Sequence, residues 1–170
     1  MVICPDFVNG DVYVVGMRAT RMSLRVDAPR ARVYRALIDA RAVATWMVPD
    51  GMTSEVHAFD AREGGGFRIS LTYGAAAGAG KTNAQTDTFH GRFVQLVSDE
   101  QVVEVVEFET ADPALRGEMT VSFTLADAEG GHATDVVAEH DRLPPGLSAV
   151  DNETGWRMSL AKLAALVERG

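Results

Sequence analysis

The sequence contains a single cysteine, Cys4, among its 170 residues. An intrachain disulfide is excluded, as is a thiolate cluster around a metal, and a reducing cytoplasmic setting fits best. Positive charge is scarce: 16 Lys and Arg stand against 24 Asp and Glu, for a net charge of −8. A surface of that sign repels phosphate backbones and anionic lipid headgroups, so neither nucleic acid nor a membrane is expected as a partner. No apolar run approaches the roughly 20 residues that a bilayer-crossing helix needs. The N-terminus lacks the basic stretch and sustained apolar core of a secretory signal. Chemical signatures are missing too. There is no Gly-x-Ser-x-Gly elbow. His57, His90, His132 and His140 show no i, i+4 pairing and no acidic companion motif, so no metal site and no cofactor is expected. Gly64-Gly65-Gly66 opens a strand rather than a helix. It therefore cannot aim a helix N-terminus at a phosphate, and a bulge or tight turn is expected.

What is present is organised around the stretch from Ser148 to Arg169. Trp156, Leu160, Leu163 and Val167 recur at helical spacing, with Ser159 and Leu166 beside them. This is a helix with one face in a core. Ser148 with Asp151 resembles a capping box, and Arg169 suits the negative end of the helix dipole. About twenty residues make a rod of roughly 30 Å. Almost everything before it reads as strand.

Residues 1–16 fall outside the periodic pattern and are expected to be an N-terminal extension, leaving residues 17–170 as one domain with a sizeable core. Met22, Leu24 and Val26 alternate with polar neighbours as a first strand. Pro29 opens a short helix whose buried side is Val33, Tyr34, Leu37 and Ile38. Asp39 caps a second short helix running to Trp46, and Pro49-Asp50-Gly51 ends it. Period-two alternation follows. Strands are predicted at Glu55 to Asp60, Phe67 to Tyr73, Thr88 to Val97, Val102 to Glu109, Met119 to Leu125 and Thr134 to His140. The Gly- and Ala-rich segment from Gly74 to about Thr86 reads as a mobile hairpin tip. Hairpin-length connections imply antiparallel neighbours, and clean alternation implies one solvated face. The class is α+β: one mostly antiparallel sheet of about six or seven strands with helices on one side.

Ala28-Pro29 with Val33-Tyr34 and Leu37, Trp46, Gly65-Gly66-Phe67, Gly91-Arg92-Phe93, Gly131 with Thr134, and Gly155-Trp156 with Leu160 and Leu163 form an ordered set. From about Thr20 to Arg169 the chain resembles the START-like (SRPBCC, helix-grip) superfamily. Within it, the nearest likeness is to the branch named after activators of a heat-shock-protein ATPase. The resemblance implies a curved antiparallel sheet gripping the C-terminal helix, with a cavity between them. The eukaryotic members behind the branch name carry an additional chaperone-binding domain for which this chain has no room, so chaperone activation is not carried over. The superfamily has no shared catalytic motif, and its fold does not fix a function.

The candidate ligand-binding residues are Trp46, Phe67, Phe123, His140, Gly155 and Trp156. The four large aromatics suit an apolar pocket, and ordinary core packing accounts for them equally well. Gly155 interrupts a helix interior, at a cost of about 1 kcal/mol relative to Ala. It serves either close helix-to-sheet packing or ligand space beside Trp156. His140 shares strand parity with Thr134, Val136 and Ala138 and lies near the start of the long helix, where Asp151 and Asn152 sit. The first expectation is a non-catalytic module holding a small apolar molecule. Two alternatives stand beside it: a cyclase- or hydrolase-like enzyme using His140 with Asp151 or Glu139, and a co-chaperone-like, stress-related interaction domain. A homodimer is left open.

Overall fold

The structure, a computed structural model, describes residues 18–74, 82–83 and 85–170. The extension expected over residues 1–16 and most of the expected hairpin tip lie outside the described residues. The elements are β1 (Ala19–Val26), α1 (Arg30–Ile38), α2 (Ala40–Trp46), β2 (Met52–Phe59), β3 (Gly66–Tyr73), β4 (Thr86–Val97), β5 (Gln101–Phe108), β6 (Met119–Ala128), β7 (Ala133–Asp141) and α3 (Ala149–Glu168). The strands form one sheet in the order β1-β7-β6-β5-β4-β3-β2, each neighbouring pair antiparallel. The sheet curves around α3, the arrangement of a helix-grip α+β fold.

Local chemistry sets the boundaries. Pro29, expected as the first helical residue, is instead the N-cap in an extended conformation, and α1 begins one residue later at Arg30. Asp39 accepts from the Ala42 N–H at 2.8 Å and starts α2. Ser148 accepts from the Asp151 N–H at 3.2 Å and starts α3, satisfying one donor that the first helical turn leaves free. Strand β2 begins at Met52, three residues earlier than its apolar alternation suggests, because Met52 pairs with Tyr73 across the sheet.

Phe67, Ile69, Met119, Val121, Phe123 and Leu125 are buried on the inner face. Trp46, Leu37, Val33 and Leu163 pack there with almost no exposure. Each such side chain contributes about 1.5–3 kcal/mol relative to leaving it in water. The outer face is solvated and laced with ion pairs: Arg21–Glu139 at 3.1 Å, Arg25–Asp135 at 2.8 Å, Arg68–Glu109 at 2.7 Å and Arg92–Glu118 at 2.7 Å. Exposed pairs of this kind contribute little individually. Gly91 is required by close approach. A Cβ there would lie 2.6 Å from the Phe67 ring and 2.3 Å from the Val105 carbonyl oxygen.

Strand β4 carries a bulge. Phe93 pairs with Glu104 and Gln95 with Val103, so Val94 is an extra residue with no partner. It is one of two exposed large hydrophobic side chains among the described residues. A bulge reverses which side chains face inward on the two sides of it, and the candidate site depends on that reversal.

Candidate ligand-binding site

The two halves of α3 meet the sheet differently. Its C-terminal half presents Leu160, Leu163 and Val167, all buried. Its N-terminal half presents Asn152, Gly155 and Ser159 at the same helical spacing, and these side chains are too short to fill the space beneath them. A cavity of about 570 Å³ results, within the usual range for small-molecule sites. Leu71, Phe89, Val106, Phe108, Met119 and Val121 form its apolar wall on the sheet side. Met47, Pro49 and Met52 line it from the α2–β2 connection, and Gly155, Trp156 and Met158 from α3. It reaches the surface at Asp50, Gly146, Ser148, Asp151 and Thr154, all exposed.

Three buried titratable groups, His140, Glu104 and Asp87, stand in this wall. His140, on β7, is 4% exposed. Its Nδ1 accepts from the Trp156 indole N–H at 3.2 Å and from the Asn152 side-chain amide at 3.1 Å. Indole nitrogen can only donate, so Nδ1 must hold the lone pair and the proton of the neutral ring is on Nε2. That Nε2 is buried and has no hydrogen-bond partner. Burial pushes the ring's pKa down to about 4, so the imidazole is neutral at pH 7. Asn152 is itself positioned by its donation to Thr20 Oγ1 at 3.2 Å.

Glu104, on β5, is 4% exposed and makes no hydrogen bond or ion pair among the described residues. Burial alone pushes its pKa up to about 8, so its carboxyl is mainly protonated at neutral pH. Asp87, also buried, accepts from the Tyr73 hydroxyl at 3.2 Å farther along the wall. Among the described residues, no three His, Cys, Asp or Glu side chains are grouped so as to hold a metal ion.

Of the six residues singled out from the sequence, His140, Gly155 and Trp156 line the cavity. Trp46, Phe67 and Phe123 are packed in the core and do not line it. Trp46 donates through its indole N–H to the Ala36 carbonyl at 2.9 Å and meets Phe123 edge-on. Phe67 belongs to a separate cluster with Phe59 and Phe93. Trp46 and Phe123 support the site from behind, since Trp156 rests against both. A Cβ on Gly155 would meet only Pro49 Cγ, at 3.6 Å, so helix packing does not demand glycine there. Asp151 is on the cavity rim. Glu139 points to the opposite face, where it pairs with Arg21, and so cannot assist His140.

Glu104 was not found by sequence pattern. Strand β5 has valines on both faces, Val102 and Val106 on one and Val103 and Val105 on the other. Counting back from the β4–β5 turn with Phe89 and Phe93 inward would put Val103 and Val105 inside and Glu104 outside. The extra residue at Val94 shifts the register and turns Glu104 inward.

The comparisons with known proteins agree with this architecture. No curated protein matches the chain. Among solved structures, protein CV1439 from Chromobacterium violaceum is similar at 33% identity and a TM-score of 0.78, covering 88% of this chain and 96% of that one. A protein from Arthrobacter aurescens, at 14% identity, has a TM-score of 0.73 over 93% of this chain and 94% of its own. One from Staphylococcus epidermidis, at 17% identity, has a TM-score of 0.68 over 89% and 90%. The last two show likeness of fold alone. The sequence pattern of the family described as "Activator of Hsp90 ATPase homolog 1-like protein" matches residues 27–168, and the chain belongs to that family.

Proposed function

We propose that this protein is a binding module that holds a small apolar or aromatic molecule between the sheet and α3 without converting it. The observation that carries this reading is the cavity of about 570 Å³, whose sheet-side wall is mainly apolar, with its polar side chains at the rim and at Tyr73, Asp87, Glu104, His140, Asn152 and Ser159. Burying apolar ligand surface gains about 25 cal/mol per Å² before the cost of association, which suffices for micromolar binding without specific chemistry. The state of His140 argues against its use as a base. Its one lone pair is occupied by Trp156 and Asn152, and its free nitrogen already carries a proton. The outer sheet face is charged, and the described residues expose only Val94 and Val150 as large hydrophobics, which does not favour an apolar docking surface. The lone Cys4 and acidic balance support a cytoplasmic location.

Native mass spectrometry of freshly purified protein tests the reading directly, followed by titration with fatty acids, flavonoids and polycyclic aromatics. Trp156 lines the cavity whereas Trp46 is buried behind it. At least one compound should change tryptophan fluorescence saturably, and Trp156→Phe should remove most of that change. If no compound binds, the cavity is a packing defect rather than a site.

A further inference from the structure

Resting on that ligand-binding reading, we infer that the cavity selects uncharged apolar molecules bearing a carbonyl oxygen, which accepts hydrogen bonds from His140 Nε2–H and from the Glu104 carboxyl. The placement of the two groups follows from register. Thr20 pairs with His140, His140 with Val121, and Val121 with Glu104, across β1, β7, β6 and β5. Directly paired residues leave the same face of a sheet, so these four form one row on the inner face. Strands are about 4.8 Å apart, so the His140 and Glu104 backbones are about 10 Å apart with Val121 between them. The sheet curves around α3, which draws side-chain tips on the inner face closer than their backbones. A carbonyl lying over Val121 is therefore flanked by both groups, each acting at about 2.9 Å.

The chemistry of the two groups selects the acceptor. Trp156 and Asn152 occupy Nδ1, so His140 can offer the cavity only an N–H. Among the described residues Glu104 has no cationic neighbour to hold it ionised, so it offers an O–H. His140 Nε2 is buried without a partner, and the buried Glu104 makes no hydrogen bond or ion pair among the described residues, a costly state that one acceptor oxygen relieves at both ends. An ammonium ligand would set donor against donor at His140. An anionic one would meet Asp151 at the rim, with no Lys or Arg among the described lining residues.

Besides Glu104, the titratable groups that line the cavity are His140 on β7, Asp87 on β4, Tyr73 on β3, Asp151 on α3 and Asp50 just before β2, while β6 presents Met119 and Val121. None supplies a positive charge at neutral pH, so raising the pH ionises Glu104 and replaces a donor by a repelling carboxylate. The preference for a carbonyl should weaken accordingly.

Equilibrium dialysis of the full chain against benzophenone, diphenylmethane and benzhydrylamine separates the possibilities, because the three share a shape and differ in one group. At pH 6 benzophenone should bind about 10-fold tighter than diphenylmethane, as expected for hydrogen bonds made in an apolar site. At pH 9 that ratio should shrink at least about threefold in the wild type. Glu104→Gln, which keeps a donor but does not titrate, should retain the preference at both pH values, and Glu104→Leu should lose most of it. Equal binding of ketone and hydrocarbon, or tighter binding of the amine, overturns the carbonyl assignment while leaving the cavity a binding site. Failure of all three to bind where another compound of the apolar panel does bind overturns the carbonyl assignment, and failure of that panel as well overturns the binding reading itself.

Discussion

Replacing Glu104 by Gln should make the protein more stable at alkaline pH, by an amount that grows across neutrality. The side chain keeps its shape and a donor but loses its titration. In the folded protein burial holds the Glu104 pKa at about 8, against 4.5 for the free group. Between those values the unfolded chain has lost its proton and the folded chain has kept it. The folded state thus binds more protons, and wild-type stability falls as pH rises. That interval, at about 1.4 kcal/mol per pH unit, comes to about 5 kcal/mol. Water entering the cavity will solvate the carboxylate and lower the figure, so about 3–5 kcal/mol is expected. His140 slopes the other way. Its folded pKa is about 4 against 6.5 in the free group, so its neutral form supports the fold above pH 6.5 and that support is lost towards pH 4. Both proteins carry His140, so its contribution cancels in the difference. Urea unfolding followed by circular dichroism from pH 5 to pH 9 reads the result. The advantage of Glu104→Gln should widen by about 3–5 kcal/mol and flatten above pH 8 to 9. Stability curves that run parallel within about 1 kcal/mol would show that Glu104 is already ionised and solvated in the folded protein. The reasoning from burial would then be refuted.

Leu163→Ala removes a side chain with no exposure from the half of α3 that seals the core, and should cost about 2–5 kcal/mol, read as a fall in Tm of roughly 5–15 °C. A fall under about 3 °C would mean that the helix collapses onto the sheet without loss. Gly155→Leu should leave Tm unchanged or slightly raised, because glycine costs a helix interior about 1 kcal/mol and the new Cβ meets only Pro49. It should also weaken ligand binding about 10-fold or more by filling the cavity, whereas unfolding would return Gly155 to a packing role. A chain starting at Met17 should melt within a few degrees of the full sequence. A drop of more than about 10 °C would show that residues 1–16 pack in the core.

The fold was legible because its signals were redundant. The alternation Phe67, Ile69 and Met119, Val121, Phe123, Leu125 gave the inner face, and Leu160, Leu163 and Val167 gave the helix that covers it. Each such pattern repeats over several residues, so one irregularity does not erase it. The site was less legible because a cavity is defined by what fails to reach across. Hydrophobic spacing marked Trp46, Phe67 and Phe123 as apolar and inward but could not tell a residue that fills the core from one that borders a gap. The clearer mark was on α3, where Asn152, Gly155 and Ser159 continue the inward stripe with short side chains. Glu104 was hidden for a different reason: one inserted residue, Val94, reverses the facing of β5, and no local composition announces it. His140 could be placed by parity alone because β7 runs without a register shift.

Helix α3 follows in the chain every strand that it covers. During synthesis the inner face, with Phe93, Met119 and Phe123, therefore emerges and pairs strand by strand while still bare. Strand β1, made first among the described strands, has no neighbour until β7 leaves the ribosome more than a hundred residues later. Contacts so distant along the chain form slowly, and an unpaired strand beside an uncovered apolar sheet invites association with other chains. Nascent chains halted before Ser148 should stay sensitive to protease, and those extended through Val167 and released should become resistant. The segment that leaves room for a ligand is thus also the one that ends the chain's exposure: α3 docks last, and its short side chains make the cavity as it closes the core.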